Sequence, residues 1–169
     1  MTILIENESE LDVGIDYKEI AIEVINAALD YIKCPYECEI NILLTDNEGI
    51  RETNQRMRGI DAPTDVLSFP MIEFETEGDF SVVENDVLSY FDAEKGELLL
   101  GDIMISLERV TEQAKQFNHS VKREYAFLIA HSMLHLSGYD HMEEDERMQM
   151  ERMQEEILQS IGYTREITD

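Results

Sequence analysis

The sequence predicts a single α/β domain. Strand-like and helix-like segments alternate along it. Its 169 residues match the size of one ordinary domain, and no stretch reads as an interdomain linker, an internal repeat or a low-complexity tract. A chain of this length can bury a core without disulfides or metal staples.

The elements follow in order. Residues 2–6 are rich in β-formers and suggest a first strand. Asp16 can cap a helix from about Tyr17 to Ile32, with Ile20, Val24, Ala27, Ala28 and Tyr31 on one face. Glu39 to Thr45 reads as a strand. Asp46 then caps a short helix that ends at Gly59, where glycine tolerates the left-handed turn. Val66 to Phe74 reads as a strand interrupted by Pro70, which suggests an edge or a bulge. Residues 73–97 are acidic, and part of that stretch reads as a solvated loop. Leu98 to Ile105 is the most apolar strand candidate. Ser106 caps a helix to about Asn118, and Ser120 caps another from Val121 to Ser137, stopped by Gly138. A last amphipathic helix runs from about Glu143 to Ile161, with acids crowding its first turn, where the macrodipole favours them.

The charge balance is strongly one-sided. Thirteen Lys plus Arg face 38 Asp plus Glu, a formal net charge of −25. Polyanion binders usually carry a basic footprint, so the whole surface favours a small-molecule or protein partner. A cleft can still be locally basic inside an acidic molecule. The longest apolar runs are too short to span a bilayer, so no membrane partner is expected. The segment Met1 to Glu6 has no basic flank and no apolar core, so a secretory signal is not expected. Cys34 and Cys38 lack the spacing of zinc ribbons or redox motifs and read as two reduced cysteines in a cytoplasmic protein.

Three of the four histidines fall within eleven residues, as His131-Ser-Met-Leu-His135-Leu-Ser-Gly138-Tyr-Asp-His141. On a helix, positions 131 and 135 lie one turn apart on one face, so two imidazoles can point at one ion. Gly138 ends the helix and lets the chain bend back, and His141 can then close a three-histidine site. Three protein ligands leave a coordination position for water, which is the layout of a catalytic rather than a structural zinc site. The competing reading is ordinary histidines on an amphipathic helix, but three at this spacing around a glycine are hard to reach by accident. His119 lies outside the group and reads as a surface or cap residue. The spacing HxxxHxxGxxH also occurs in metzincin peptidases, which carry a Glu directly after the first histidine as general base. Here that position is Ser132, which cannot take a proton from water at neutral pH.

A second motif runs from Asn54 to Pro70. Arg56 and Arg58, with Arg51 further back, form the only compact basic cluster before the C-terminal half. A guanidinium fork suits phosphate; the alternative is helix-terminal arginines meeting the dipole.

Together the two segments resemble the YbeY family of bacterial rRNA maturation factors. The family's H-x-x-L-H-x-x-G-Y-D-H context is matched by His131, Leu134, His135, Gly138, Tyr139, Asp140 and His141. Its R-G-x-D-x-P-T-[DN]-V-L-S-F-P segment is matched by Arg58 through Pro70, and Gly101-Asp102-Ile103 looks like its G-D-I strand. The resemblance spans roughly residues 40–160. It implies a small mixed four-stranded sheet flanked by helices, with a metal site at the end of a central helix. It implies one divalent ion, zinc being expected, held by His131, His135 and His141. It also implies a single-strand-preferring endoribonuclease acting on the 16S rRNA precursor, with the small ribosomal subunit or its proteins as partners, and no DNA. Carried over by position, Arg58 contacts phosphate or stabilises the transition state. Asp65 and Asp102 are candidates for a base or for a partner that orients a histidine. The lysine common after the family's R-G pair is replaced by Ile60, which removes a positive charge beside the expected RNA path. A binding factor with a structural metal and a metallohydrolase of a small substrate are the alternatives.

Overall fold

The computed structural model describes residues 1–164. The elements are β1 (Thr2–Asn7), α1 (Tyr17–Tyr31), β2 (Cys38–Thr45), α2 (Asn47–Arg58), β3 (Val66–Pro70), α3 (Val87–Tyr90), β4 (Leu98–Ser106), α4 (Leu107–Gln116), α5 (Val121–Leu136) and α6 (Glu144–Ser160), with a 3₁₀ segment at Phe80–Asn85. The four strands form one sheet in the order β1-β2-β4-β3. β1 and β4 run parallel to β2, and β3 pairs antiparallel with β4 at one edge. This is the mixed four-stranded sheet flanked by helices that the family resemblance implies.

The two faces of the sheet follow from alternation and one bulge. Along β2, Cys38, Ile40, Ile42 and Leu44 point into the main core, shared with α1, α5 and α6. Along β4 the inward residues are Leu98 and Leu100, and then Ile103 and Ile105. The switch from even to odd positions comes from a register shift. Glu39 pairs with Leu99 but Ile40 pairs with Gly101, so Leu100 is an extra residue on β4. The opposite face carries Leu43, Leu67 and Met104 against Ile50 of α2. Each fully buried Leu or Ile in these clusters contributes roughly 1.5–3 kcal/mol.

Pro70 ends β3 at its edge. The Met71 N–H donates to the Leu100 carbonyl (3.1 Å), so the ring nitrogen of Pro70 faces away from β4, where a missing donor costs no ladder bond. The strand therefore stops four residues short of the predicted Phe74. The acidic stretch after it is not all solvated loop, because Phe80 and Val83 in the 3₁₀ segment are buried against the core. Both cysteines are free, with Sγ atoms 3.8 Å apart.

Helix α5 runs through the centre. Ala126, Ile129, Ala130, Met133 and Leu134 are fully buried, as befits a helix apolar on most sides. No helix among the described residues is long and apolar enough to cross a membrane.

Candidate metal centre

His131 and His135 lie on the last two turns of α5, on the one strip of that helix that is not closed over. Ser137 caps the helix, and Gly138 follows at φ +95°, a backbone state that side chains resist. The turn carries His141 back over the helix end, where the Asp140 Oδ1 accepts from its backbone N–H (2.8 Å). One ring nitrogen from each of the three histidines lies within 4.8 Å of the others. The ring centroids are 4.6 Å apart for His131 and His135, 5.5 Å for His131 and His141, and 5.0 Å for His135 and His141.

The donor set fits a divalent ion. Ligand imidazoles must be neutral, and burial, with smaller contributions from His135 and His141, pushes the His131 pKa down to about 3. Burial and His141 also lower that of His135, against an opposing contribution from the Tyr139 carbonyl. That carbonyl lies 3.0 Å from His135 Nδ1 and can only accept, so Nδ1 carries the proton and the Nε2 lone pair turns toward His131. Three nitrogens leave a coordination position open.

The histidines line a cavity of about 900 Å³. Its other walls come from β3, from Phe74 and Tyr139, and from the end of α2, including Met57 and Arg58. Arg58 is exposed at this cavity, and among the described residues no ion pair or hydrogen bond engages its guanidinium. The arginines of the sequence motif separate in space. Arg51 is tied to Glu48 and Asp61, and Arg56 lines a different cavity, on the α2 face of the sheet.

The two candidate aspartates also separate. Asp65 lines the histidine cavity. Its Oδ1 accepts from the Val66 N–H (2.8 Å) and its Oδ2 from the Gln113 amide (3.3 Å). Asp102 does not join the histidines. The extra residue Leu100 turns it to the opposite face, where Asn41 Nδ2 donates to its Oδ1 (2.9 Å) and it lines the cavity with Arg56.

Several polar contacts around the centre have no signature in the sequence. Ser68 of β3 donates to the buried Ser132 (2.9 Å between oxygens), so the hydroxyl at the position where metzincins carry a glutamate is bound within the fold. His119 is not a surface residue: its Nε2 lies 2.6 Å from Glu124, and its backbone N–H donates to Ala114 at the end of α4. Glu124 in turn accepts from the same Gln113 amide that holds Asp65 (3.0 Å). Gln154 of α6 reaches His131, its amide 2.7 Å from Nδ1. These partners lie 5 to 64 positions apart in sequence, and only packing brings them together.

The comparisons with known proteins agree with this architecture. A protein of Lachnoclostridium phytofermentans named Endoribonuclease YbeY is 56% identical over 165 residues, spanning 98% of this chain and 100% of the relative. Proteins of the same name from Agathobacter rectalis and Clostridium perfringens are 52% and 45% identical, covering 98% and 97% of this chain and 100% and 99% of their own. The solution structure of TM1509 from Thermotoga maritima shares the fold, with a TM-score of 0.55, 24% identity, and coverage of 96% of this chain and 95% of that one. The profile of the family described as Endoribonuclease YbeY matches residues 4–162. The chain belongs to the YbeY family.

Proposed function

We propose that this protein is a metal-dependent endoribonuclease that cleaves single-stranded RNA, acting on the 16S rRNA precursor in 3′-end maturation and ribosome quality control in the cytoplasm. The observation that carries the reading is the meeting of three convergent imidazoles and an arginine with no partner among the described residues at one open cavity, in a chain whose relatives bear the name endoribonuclease.

His131, His135 and His141 would hold the ion, zinc being the fit to an all-imidazole donor set. A divalent ion so held supplies Lewis acidity toward a phosphoryl oxygen and lowers the pKa of water. Arg58 presents a guanidinium fork to the scissile phosphate and balances the charge that develops on it. Asp65 is the carboxylate we assign to the cavity, held by Gln113 and the Val66 N–H, as proton acceptor or as the group that orients the attacking water. Asp102 is left out of the chemistry because it faces the other side of the sheet. The net charge of −25 repels a polyanion over most of the surface, which supports delivery of the RNA on the small ribosomal subunit, where basic ribosomal proteins complement the acidic exterior.

The test is cleavage of a single-stranded RNA by metal-quantified protein, with and without chelator. Cleavage that is lost on chelation and restored by one equivalent of zinc supports the reading. Chelator-insensitive cleavage, or no cleavage by fully loaded protein of either free RNA or small-subunit precursor particles, overturns it in favour of a binding factor with a structural metal.

A further inference from the structure

Among the described residues, Gln154 is the one side chain outside the histidine motif that hydrogen-bonds to a ring of the triad. It sits on α6, 23 positions from His131, and is 1% exposed. Its amide nitrogen lies 2.7 Å from His131 Nδ1, while His131 Nε2 lies 3.0 Å from Nε2 of His135. A neutral imidazole carries one N–H, so these two contacts are linked. With the amide nitrogen donating to Nδ1, the His131 proton sits on Nε2 and is aimed at His135. The Nε2 of His135 is free to accept it, because its own proton is committed to the Tyr139 carbonyl. The centre is then closed on itself by a hydrogen bond between the two histidines.

An amide has a second face of the same size. Rotating the Gln154 carboxamide by half a turn puts its oxygen against Nδ1. Nδ1–H then donates to Oε1, and the Nε2 lone pair is released beside that of His135. Two lone pairs held about 3 Å apart repel, and this arrangement is favourable only with a cation between them. The carboxamide can serve both arrangements without a change of shape. A carboxylate can serve only the second, and an apolar side chain serves neither, leaving a buried N–H or lone pair unmatched at a cost.

We propose that Gln154 is a positioning residue that sets the tautomer of His131. Its amide nitrogen faces Nδ1 in the metal-free protein and its amide oxygen faces Nδ1 in the loaded protein, so that α6 takes part in metal binding. The inference rests on the metal-centre reading above, and its test separates the two. Zinc affinity is measured by chelator competition for the wild type, Gln154→Leu and Gln154→Glu, with circular dichroism confirming helix content. The ring ¹⁵N shifts of His131 are read in the wild type with and without zinc. Loss of a hydrogen-bonding partner beyond a metal ligand costs 10–100-fold in affinity, and Gln154→Leu is expected to fall in that range. Gln154→Glu is expected to recover wild-type affinity or exceed it, and to melt at a lower temperature than wild type only in the metal-free state. His131 is expected to be protonated at Nε2 without zinc and at Nδ1 with it. A folded Gln154→Leu protein that binds zinc as tightly as wild type overturns the proposal. An unchanged His131 tautomer on loading overturns it too, and needs no variant. Wild-type protein that binds no divalent ion overturns the metal centre itself and this inference with it.

Discussion

Nε2 of His131 and Nε2 of His135 stand 3.0 Å apart, one helical turn from each other on α5. Two nitrogens bound to a tetrahedral zinc at ~2.0–2.1 Å lie about 3.3 Å apart, so only a small side-chain adjustment separates this arrangement from ligation. The core around α5 is complete without the ion, since Ala130, Met133 and Leu134 are fully buried. Chelation is therefore expected to abolish cleavage while leaving far-UV circular dichroism unchanged, and His135→Ala to do the same at a stability cost of about 1–2 kcal/mol. A metal-free protein that is unfolded at room temperature would make the ion structural and sink the catalytic reading.

The turn that brings in His141 depends on one glycine. At Gly138, φ is +95°, and a Cβ there would lie 2.8 Å from Cβ and Cγ of Phe74. Phe74 is itself held edge-on against the buried Phe80, 5.2 Å between centroids, so it has little room to yield. Gly138→Ala is expected to cost roughly 2–4 kcal/mol, from left-handed strain and overpacking together. Zinc affinity should fall with it as His141 is displaced. Urea melts of the metal-free variant and chelator titrations separate the two effects, and a variant with wild-type values in both would refute the role of the turn.

The histidine cluster is legible in the sequence because helical periodicity and a glycine stop are local rules, and His131, His135 and Gly138 lie within eight positions. The strands and their order of appearance are legible for the same reason. The face taken by Asp102 is not. Simple alternation from Leu98 and Leu100 puts position 102 on the inward face, and the single extra residue at Leu100 reverses it. Nor can local rules find Gln154, Gln113 or the Ser68–Ser132 pair. Their partners are chosen by how α6, α4 and β3 pack on α5, which one sequence does not encode in any short pattern.

Ile60 offers a gain-of-charge test. It is 43% exposed, two positions beyond Arg58 and just past the Gly59 turn that ends α2. A lysine there would add a cation close in sequence to an arginine that has no acidic partner among the described residues. For single strands each phosphate neutralised contributes a slope of about −0.7 in log K against log salt. Ile60→Lys is expected to tighten binding to a single-stranded oligonucleotide at low salt and to steepen that slope by about 0.7. No change in slope would place the RNA path away from the end of α2.

Arg58 carries the sharpest test of the nuclease reading. A chain with a net charge of −25 cannot draw a phosphate into a cavity without local positive charge. Arg58 has no partner among the described residues and lies at the cavity of the histidines, although it precedes His131 by 73 positions. Arg51, in the same helix, is held by Glu48 and Asp61, which leaves its charge compensated. A charge at the cavity mouth that is not neutralised in the resting protein is available to a substrate, and its value grows as the phosphate gains charge in the transition state. Arg58→Ala is expected to keep its zinc and its melting temperature and to lose about 2–4 kcal/mol of transition-state stabilisation, read as a fall in cleavage rate of roughly 30-fold to 10³-fold. Arg58→Lys should restore part of that rate only, because a point charge does not reproduce a two-pronged contact. Arg51→Ala serves as the control and should change the rate little. If Arg58→Ala retains its metal and cleaves single-stranded RNA at the wild-type rate, the phosphate is held elsewhere, and the acidic surface with its histidine centre is better read as the docking face of a ribosome-assembly factor.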